Sequence, residues 1–442
     1  MSPRVLLIAE AANPEWTSVP LVGWSLARAL ADQTDAHLVT HVRNREAIER
    51  TGWTHGEQFT AIDSEAVARR LHKLRSLLGS RNGKGWTLGT ALGAISYQYF
   101  ERLVWKQFRD RLEAGEFDLV HRITPLSPTV PSPIAKKLAK IGVPFVLGPL
   151  NGGLPWPKEF DKARRDEREW LSYLRPAYKL MPGYHATRRH AAAIFIGSKA
   201  TWDQLPRRYH HKCIYLPENG IDPARFNLRR TRRATRPIRC VFVGRLVPYK
   251  GPDMLLEAAA PLLERGDITL QYIGDGPMMA QLRDQVTTQN LPGVEFLGWV
   301  DHHQVQQHLV NADLLTFPSI REFGGGVVLE AMALGVPSLI VNYGGPSELV
   351  TPETGFTVPL GNRVSIIDAL RRQLTDLVAR PQLIDQQSEA GHRRALSEFT
   401  WEAKAQRVLD LYPRSTPTFD AIAQPGQAPL HTPTKQAAVH AR

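Results

Sequence analysis

Cysteine is almost missing from this 442-residue chain: Cys213 and Cys240 stand far apart and form no CxxC pair. That excludes a disulfide-built scaffold and a cysteine-rich zinc site, and it suits a reducing compartment. Long apolar runs are missing too. The first, Val5–Ala9, is too short for the apolar region of a signal peptide, and nothing approaches the roughly 20 apolar residues that span a bilayer. A cytoplasmic location is expected, with or without peripheral attachment to the inner face of a membrane. The adjacent pairs His210–His211 and His302–His303 have no third ligand at useful spacing, so no metal site is expected. No G-x-G-x-x-G follows the first apolar run, which argues against a dinucleotide-dependent dehydrogenase.

What is present suits a large globular chain. Hydrophobic residues make up 43% and charged residues 22%, enough apolar material for two cores, and the length favours two domains. The net charge of +12 suggests an anionic partner such as a phosphorylated substrate or a membrane surface; a soluble protein that is simply basic is the plainer alternative.

Short, uniformly apolar runs alternate with amphipathic segments. Val5–Ala9, His37–Val42, Asp118–His121, Val143–Leu147, Ala193–Ile196 and Ile214–Leu216 read as strands of a first series. Cys240–Val243, Leu270–Ile273, Val294–Leu297, Leu314–Phe317 and Ser338–Val341 form a second. Uniform rather than alternating hydrophobicity marks strands covered on both faces, and strand–helix–strand repetition implies parallel sheets. The fold class is α/β with two Rossmann-like domains. The expected divisions are a first domain over 1–222, a basic linker over 223–239, a second domain over 240–397, a returning helix over 398–412 and a Pro-, Thr- and Gln-rich disordered tail over 413–442. Residues 66–110 interrupt the first series as a helical insertion. Its Leu71, Leu74, Leu77 and Leu78 lie at helical spacing among basic residues, which suits either an anionic membrane surface or packing on the chain's own domain.

Three motifs carry chemistry. In Val241-Phe-Val-Gly-Arg-Leu-Val-Pro-Tyr-Lys-Gly251 a strand ends at Gly244, and the loop bears Arg245 and Lys250. A guanidinium fork and a point charge at the carboxyl end of a parallel strand suit a diphosphate, though taken alone two such residues are often solvated surface charges. In Glu322-Phe-Gly-Gly-Gly-Val-Val-Leu-Glu330 three glycines, Gly324, Gly325 and Gly326, sit where a helix begins. Free amides there attract an anion, and no side chain blocks its approach. Glu330, expected on the first turn, suits ribose hydroxyls, and Glu322 suits sugar hydroxyls beyond the phosphates; a dipole-stabilising acid and a solvated loop acid are the plain alternatives. In the third motif Gly335 fits the residue after a helix, while Gly344-Gly-Pro-Ser-Glu348 turns at a strand's carboxyl end.

With these residues in view, the chain resembles glycosyltransferase family 4, whose fold is GT-B. The match runs through Glu218-Asn-Gly-Ile-Asp222, Val243-Gly-Arg-Leu246 with Lys250-Gly251, Tyr272-Ile-Gly-Asp-Gly-Pro277, Val294-Glu-Phe-Leu-Gly298, Pro318-Ser319, Glu322 to Gly335, Gly344 to Glu348 and Phe399-Thr-Trp-Glu402. The resemblance is dense from about 214 to 412 and sparser before. It implies two parallel sheets facing an interdomain cleft, and a retaining, metal-independent transfer from a nucleotide diphosphate sugar, with no permanently bound cofactor. It also implies Arg245, Lys250 and Glu322 at the reacting end, Gly244, Gly324, Gly325, Gly326 and Glu330 around the donor, and a last helix that crosses back to the first domain. Relatives often carry a Gly-Gly loop after the first strand and a His-x-His pair; here the loop is Glu10-Ala-Ala-Asn13 and the pair reads His121-Arg-Ile123, so His121 is either a substitute donor contact or simply a strand-end histidine. Gly148-Pro-Leu-Asn-Gly-Gly153 looks like a further family loop, making Asn151 and Gly152 acceptor-side candidates. Trp156 is a stacking residue for an acceptor sugar or simply a packed one.

The expected function is transfer of the sugar to a glycan or lipid-linked acceptor in surface polysaccharide or glycoconjugate synthesis, with no nucleic-acid partner. Two alternatives stand beside it: a sugar-nucleotide epimerase of the same fold, which needs no acceptor, and a non-catalytic membrane-associated subunit, which binds no nucleotide.

Overall fold

The computed structural model describes residues 2–65, 85–160, 178–179 and 181–413. The leucine-rich basic stretch within 67–79 and the tail after 413 lie outside the described residues.

Two parallel sheets organise the chain. The first has seven strands in the order β3-β2-β1-β4-β5-β6-β7: β1 Arg4–Ala9, β2 Asp35–His41, β3 Phe59–Ile62, β4 Leu119–Thr124, β5 Phe145–Leu150, β6 Ala193–Ile196 and β7 Cys213–Tyr215. The second has six, in the order β10-β9-β8-β11-β12-β13: β8 Ile238–Val243, β9 Ile268–Ile273, β10 Val294–Gly298, β11 Leu314–Phe317, β12 Ser338–Val341 and β13 Gly355–Val358. Every pairing between these strands is parallel. Each sheet reverses its winding once, at β1/β4 and at β8/β11, and such points open a crevice beyond the strands' carboxyl ends.

The strand residues explain the layering. Along β1, Leu6 and Ile8 join one core cluster while Val5, Leu7 and Ala9 join another, because successive side chains leave a strand on opposite faces. The first cluster is closed by the helix Gly85–Glu113, whose Tyr97, Phe100, Val104, Phe108 and Leu112 recur every three or four residues and are buried. From Ala94 onward this helix presents its apolar stripe to its own sheet. The second cluster is closed by the helices Val19–Ala31 and Trp401–Asp410, which pack on each other. Thr400 starts the latter by accepting a hydrogen bond from the Ala403 amide at 3.1 Å. Thus the last described helix covers the first sheet.

The arginine-rich stretch between the sheets is not a bare linker. Ile238 and Arg239 already belong to β8. Arg230 is buried and donates to Asp313 at 3.1 Å and to Asp385 at 2.9 Å; Arg232 also pairs with Asp313, and Arg229 pairs with Glu389. These cations compensate acids of the second sheet rather than forming a solvated basic surface. Strands β3 and β13 are the two elements that apolar runs alone did not mark; both are four-residue edge strands.

No described helix is long and apolar enough to cross a membrane.

Candidate functional site

The second crevice is built from the loops after β8 and β11. Gly244, with φ 146°, ends β8 in a conformation closed to side-chain-bearing residues, and a short turn at Pro248–Lys250 brings the lysine back over the strand end. A Cβ on Gly244 would lie 3.3 Å from the Lys250 ammonium. Lys250 meets the Glu322 carboxylate at 3.1 Å and lies over the Phe317 ring at 5.2 Å from its centroid. The loops on either side of the crossover are therefore joined by an ion pair at the point where the winding reverses. Arg245 is exposed at the rim of the same loop.

Beyond Glu322, Gly324 and Gly325 lead into the helix Gly326–Ala333, with Gly325 in the left-handed region at φ 59°. The helix is short and its N-terminal amides carry no side-chain cap. The turn is held from behind: the Gly345 amide donates to the Glu322 carbonyl at 3.0 Å, and a Cβ on Gly345 would fall 1.8 Å from the Phe323 oxygen. Glu330 is the fifth residue of this helix, on its second turn rather than the first turn expected from the sequence. The helix begins at the third glycine, Gly326, four residues ahead of the acid and so just over one turn away.

Across from these loops stand the strand ends of the first sheet. The Asn151 side-chain amide donates to the Glu218 carboxylate, and its oxygen accepts from the Gly153 amide at 2.9 Å. Gly152 donates to Thr201 Oγ1 at 2.8 Å. Burial pushes the Glu218 carboxyl up to about 7; the Asn151 amide and the Lys404 ammonium pull against this, and the neighbouring Glu322 carboxylate adds to it. One partly exposed gap thus holds two carboxyls in different settings, Glu322 tied to a lysine and Glu218 holding its proton close to neutral pH. Glu218 entered the sequence comparison only as part of a motif. Its signal was present in Glu218-Asn-Gly-Ile-Asp222, but nothing local shows that this loop reaches Asn151.

The two sheets touch through the same loops. The Tyr343 hydroxyl donates to the Pro155 carbonyl at 2.8 Å, the Lys199 amide donates to Glu348 at 3.0 Å, and Leu154 lies against Gly344.

Two candidates are buried rather than open to a ligand. Trp156 is 8% exposed, edge-on to Tyr249 with centroids 6.3 Å apart, and the Arg321 guanidinium lies 4.9 Å over its ring. It packs into the core of the second sheet, so no sugar can stack on it in this arrangement. His121 corrects the expectation of a donor contact. It is fully buried within β4. Its Nε2–H donates to the Gly148 carbonyl at 2.7 Å, which leaves Nδ1 to accept from the Tyr412 hydroxyl at 2.7 Å. Burial pushes the ring down to about 4 despite the favourable Gly148 carbonyl, so it stays neutral. With both nitrogens engaged and no exposed surface, His121 fastens Tyr412, just beyond the helix Trp401–Asp410, to the first sheet.

Known proteins resemble the chain over its second sheet and in its fold. Residues 237–376 match the family model "Glycosyl transferases group 1". Glycogen synthase of Mycobacterium tuberculosis is 32% identical over 203 residues, 45% of this chain and 48% of that protein. A GDP-mannose-dependent monoacylated alpha-(1-6)-phosphatidylinositol monomannoside mannosyltransferase of Corynebacterium glutamicum is 30% identical over 236 residues, 51% of this chain and 59% of its own. The chain spans about half the length of these curated relatives. Among solved structures, sucrose-phosphate synthase of Thermosynechococcus elongatus superposes with a TM-score of 0.60 at 19% identity, over 93% of this chain and 98% of that one. HepE of Anabaena, solved with UDP and glucose, gives 0.55 at 17%, over 92% and 98%. The fold is the GT-B arrangement of paired parallel-sheet domains, and the match to the group 1 family model lies over residues 237–376, which carry the Lys250 and Glu322 loops.

Proposed function

We propose that the chain is a retaining glycosyltransferase of the family 4 type, which moves a sugar from a nucleotide diphosphate sugar to a glycan or lipid-linked acceptor. The observation that carries the reading is the Lys250–Glu322 ion pair joining the two crossover loops beside the capless glycine turn. The diphosphate lies between Arg245, Lys250 and the amides of 324–326, the ribose lies along Glu330, and the sugar lies at Glu322. When the bond from the sugar's anomeric carbon to the phosphate oxygen breaks, both electrons leave with the diphosphate. Fixed cations and amides stabilise the charge that develops there. The acceptor hydroxyl attacks the same face of the sugar from the Asn151–Gly152 side, and its proton passes to the departing phosphate. Retention of configuration follows from attack on the face the phosphate leaves. Closure of the loops that already touch through Tyr343 and Pro155 keeps water out of the gap.

The relative from Corynebacterium acts on a phosphatidylinositol mannoside, which supports a lipid-linked acceptor and a role in glycoconjugate synthesis on the inner face of a membrane. The reading is tested by a melting screen against UDP- and GDP-sugars, followed by transfer assays with soluble and lipid-linked acceptors. Lys250→Ala is expected to weaken nucleoside diphosphate binding about tenfold or more, and Glu322→Gln to lower turnover about 100-fold. A wild-type chain that takes up no nucleotide sugar, or variants that bind and turn over like the parent, would refute it.

A further inference from the structure

Among the described residues the chain crosses between its two sheets twice, and the crossings are bound together. After β7 the first runs through Leu216–Ile221; the second returns through Phe399–Thr400 into the helix Trp401–Asp410. The Ile221 amide donates to the Phe399 carbonyl at 2.8 Å, and the Trp401 amide donates to the Ile221 carbonyl at 3.2 Å. Gly220 leaves room for the indole, since a Cβ there would lie 2.7 Å from the Trp401 ring.

Into this junction projects Lys404, only 1% exposed. Its ammonium donates to the carbonyls of Pro217, of Glu218 at 3.0 Å and of Asn219 at 2.8 Å, using all three of its protons on three successive residues. Burying an ammonium is costly even when it is fully hydrogen-bonded. Here burial pulls it down to about 7, the Glu218 carboxylate supports the charged form and Arg407 on the same helix opposes it. A loop that needed only to be closed would use an apolar residue.

The geometry assigns the purpose. Residues 217–219 carry two side chains that reach the proposed site from opposite sides. The Glu218 carboxylate accepts from Asn151 on the acceptor-side loop. The Asn219 amide lies directly behind the glycine turn, where a Cβ on Gly324 would be 2.3 Å and one on Gly326 3.4 Å from its Nδ2. We infer that Lys404 is a positioning residue: it sets the 217–219 loop so that Asn219 backs the phosphate-binding turn while Glu218 holds the Asn151 loop, fixing the two halves of the site relative to each other. The inference rests on the donor reading above, and it adds that a helix packed on the first sheet controls the shape of a turn on the second.

The test is a double-mutant cycle on the full chain. Calorimetry measures the dissociation constants of UDP and GDP, and kcat and KM are followed with the nucleotide sugar that the wild-type screen selects. Lys404→Met, which keeps the length of the stem, and Asn219→Ala are each expected to raise the nucleoside diphosphate Kd about tenfold. Together they should do little more than either alone, because they break one device. A residue that merely stabilises the junction would lower the melting temperature while leaving Kd and kcat in place, or its effect would multiply with that of Asn219→Ala; either result overturns the inference. If Lys404→Met does not fold, Asn219→Ala alone decides, since it leaves every Lys404 contact intact; unchanged nucleotide binding in that variant refutes the assignment. Failure of the wild type to bind any nucleoside diphosphate removes the donor reading and the positioning role with it, a result distinct from binding that the variants do not disturb.

Discussion

Replacing Gly345 by alanine places one methyl group against the turn that the proposed donor site depends on. The added Cβ would lie 1.8 Å from the Phe323 carbonyl oxygen and 3.1 Å from the Gly324 carbonyl carbon. A carbon–oxygen contact needs about 3.3 Å, so the two segments must part by about 1.5 Å. Neither can move freely. The Gly345 amide is tied to the Glu322 carbonyl at 3.0 Å, and Leu154 of the first sheet lies against Gly344 on the other side. The displacement therefore falls on 322–324, the residues that bear Glu322 and open the glycine turn. Overpacking of this kind costs about 1–3 kcal/mol of stability, and a shift of about 1 Å at a reacting centre lowers turnover about 100-fold. The assay is transfer kinetics with the selected nucleotide sugar, alongside denaturant unfolding. Gly93→Ala is the control: the glycine is exposed in the helix Gly85–Glu113 with nothing within 4 Å of an added Cβ, so it should gain about 1 kcal/mol and leave kinetics alone. Turnover of Gly345→Ala within twofold of the parent would refute the claim that this contact shapes the site.

Two further outcomes follow from buried charge. The Glu218 carboxyl is raised from its ordinary 4.5 to about 7 in the folded chain, so the native state binds its proton more tightly than the unfolded state, and stability is lost as pH climbs through that interval. Glu218→Gln lacks this loss and should gain on the parent between pH 5 and pH 8 in urea unfolding; parallel curves for the two proteins would contradict the buried setting. Arg230→Met leaves the fully buried Asp313 with Arg232 and the Arg239 amide but without its enclosed cation, and Asp385 with the Ala234 amide but without its ion-pair partner. A destabilisation of about 3 kcal/mol is expected by chemical denaturation, against less than about 0.5 kcal/mol if the stretch were a solvated linker.

The legible part of the fold was the part whose burial is complete. Ala193–Ile196, Leu314–Phe317 and Ser338–Val341 are observed with the bounds their apolar runs suggest, because strands covered on both faces are mostly apolar, with only Thr316 and Ser338 among these twelve residues polar. Phe59–Ile62 and Gly355–Val358 escaped because each is a four-residue edge strand whose Thr60, or Gly355 and Thr357, breaks up the apolar run. The arginine-rich stretch misled for a related reason. Composition reports charge but not its partners, and Asp313, Asp385 and Glu389 lie far along the chain. His121 misled because a histidine at a strand end looks the same in a sequence whether it faces a cleft or, as here, Tyr412.

By itself the sequence determined all but the two edge strands β3 and β13 of the two parallel sheets, the glycine turns at their ends and which loops carry cations, because each of these is set by local sterics and by the period of buried positions. Only the tertiary structure decided which loops meet. The pairing of Lys250 with Glu322, the reach of Asn219 behind Gly324 and the three carbonyls gathered by Lys404 join residues separated by up to 187 positions. No local pattern encodes such meetings. They arise from the order in which strands are laid into each sheet, and from the helix Trp401–Asp410, which returns to cover the first.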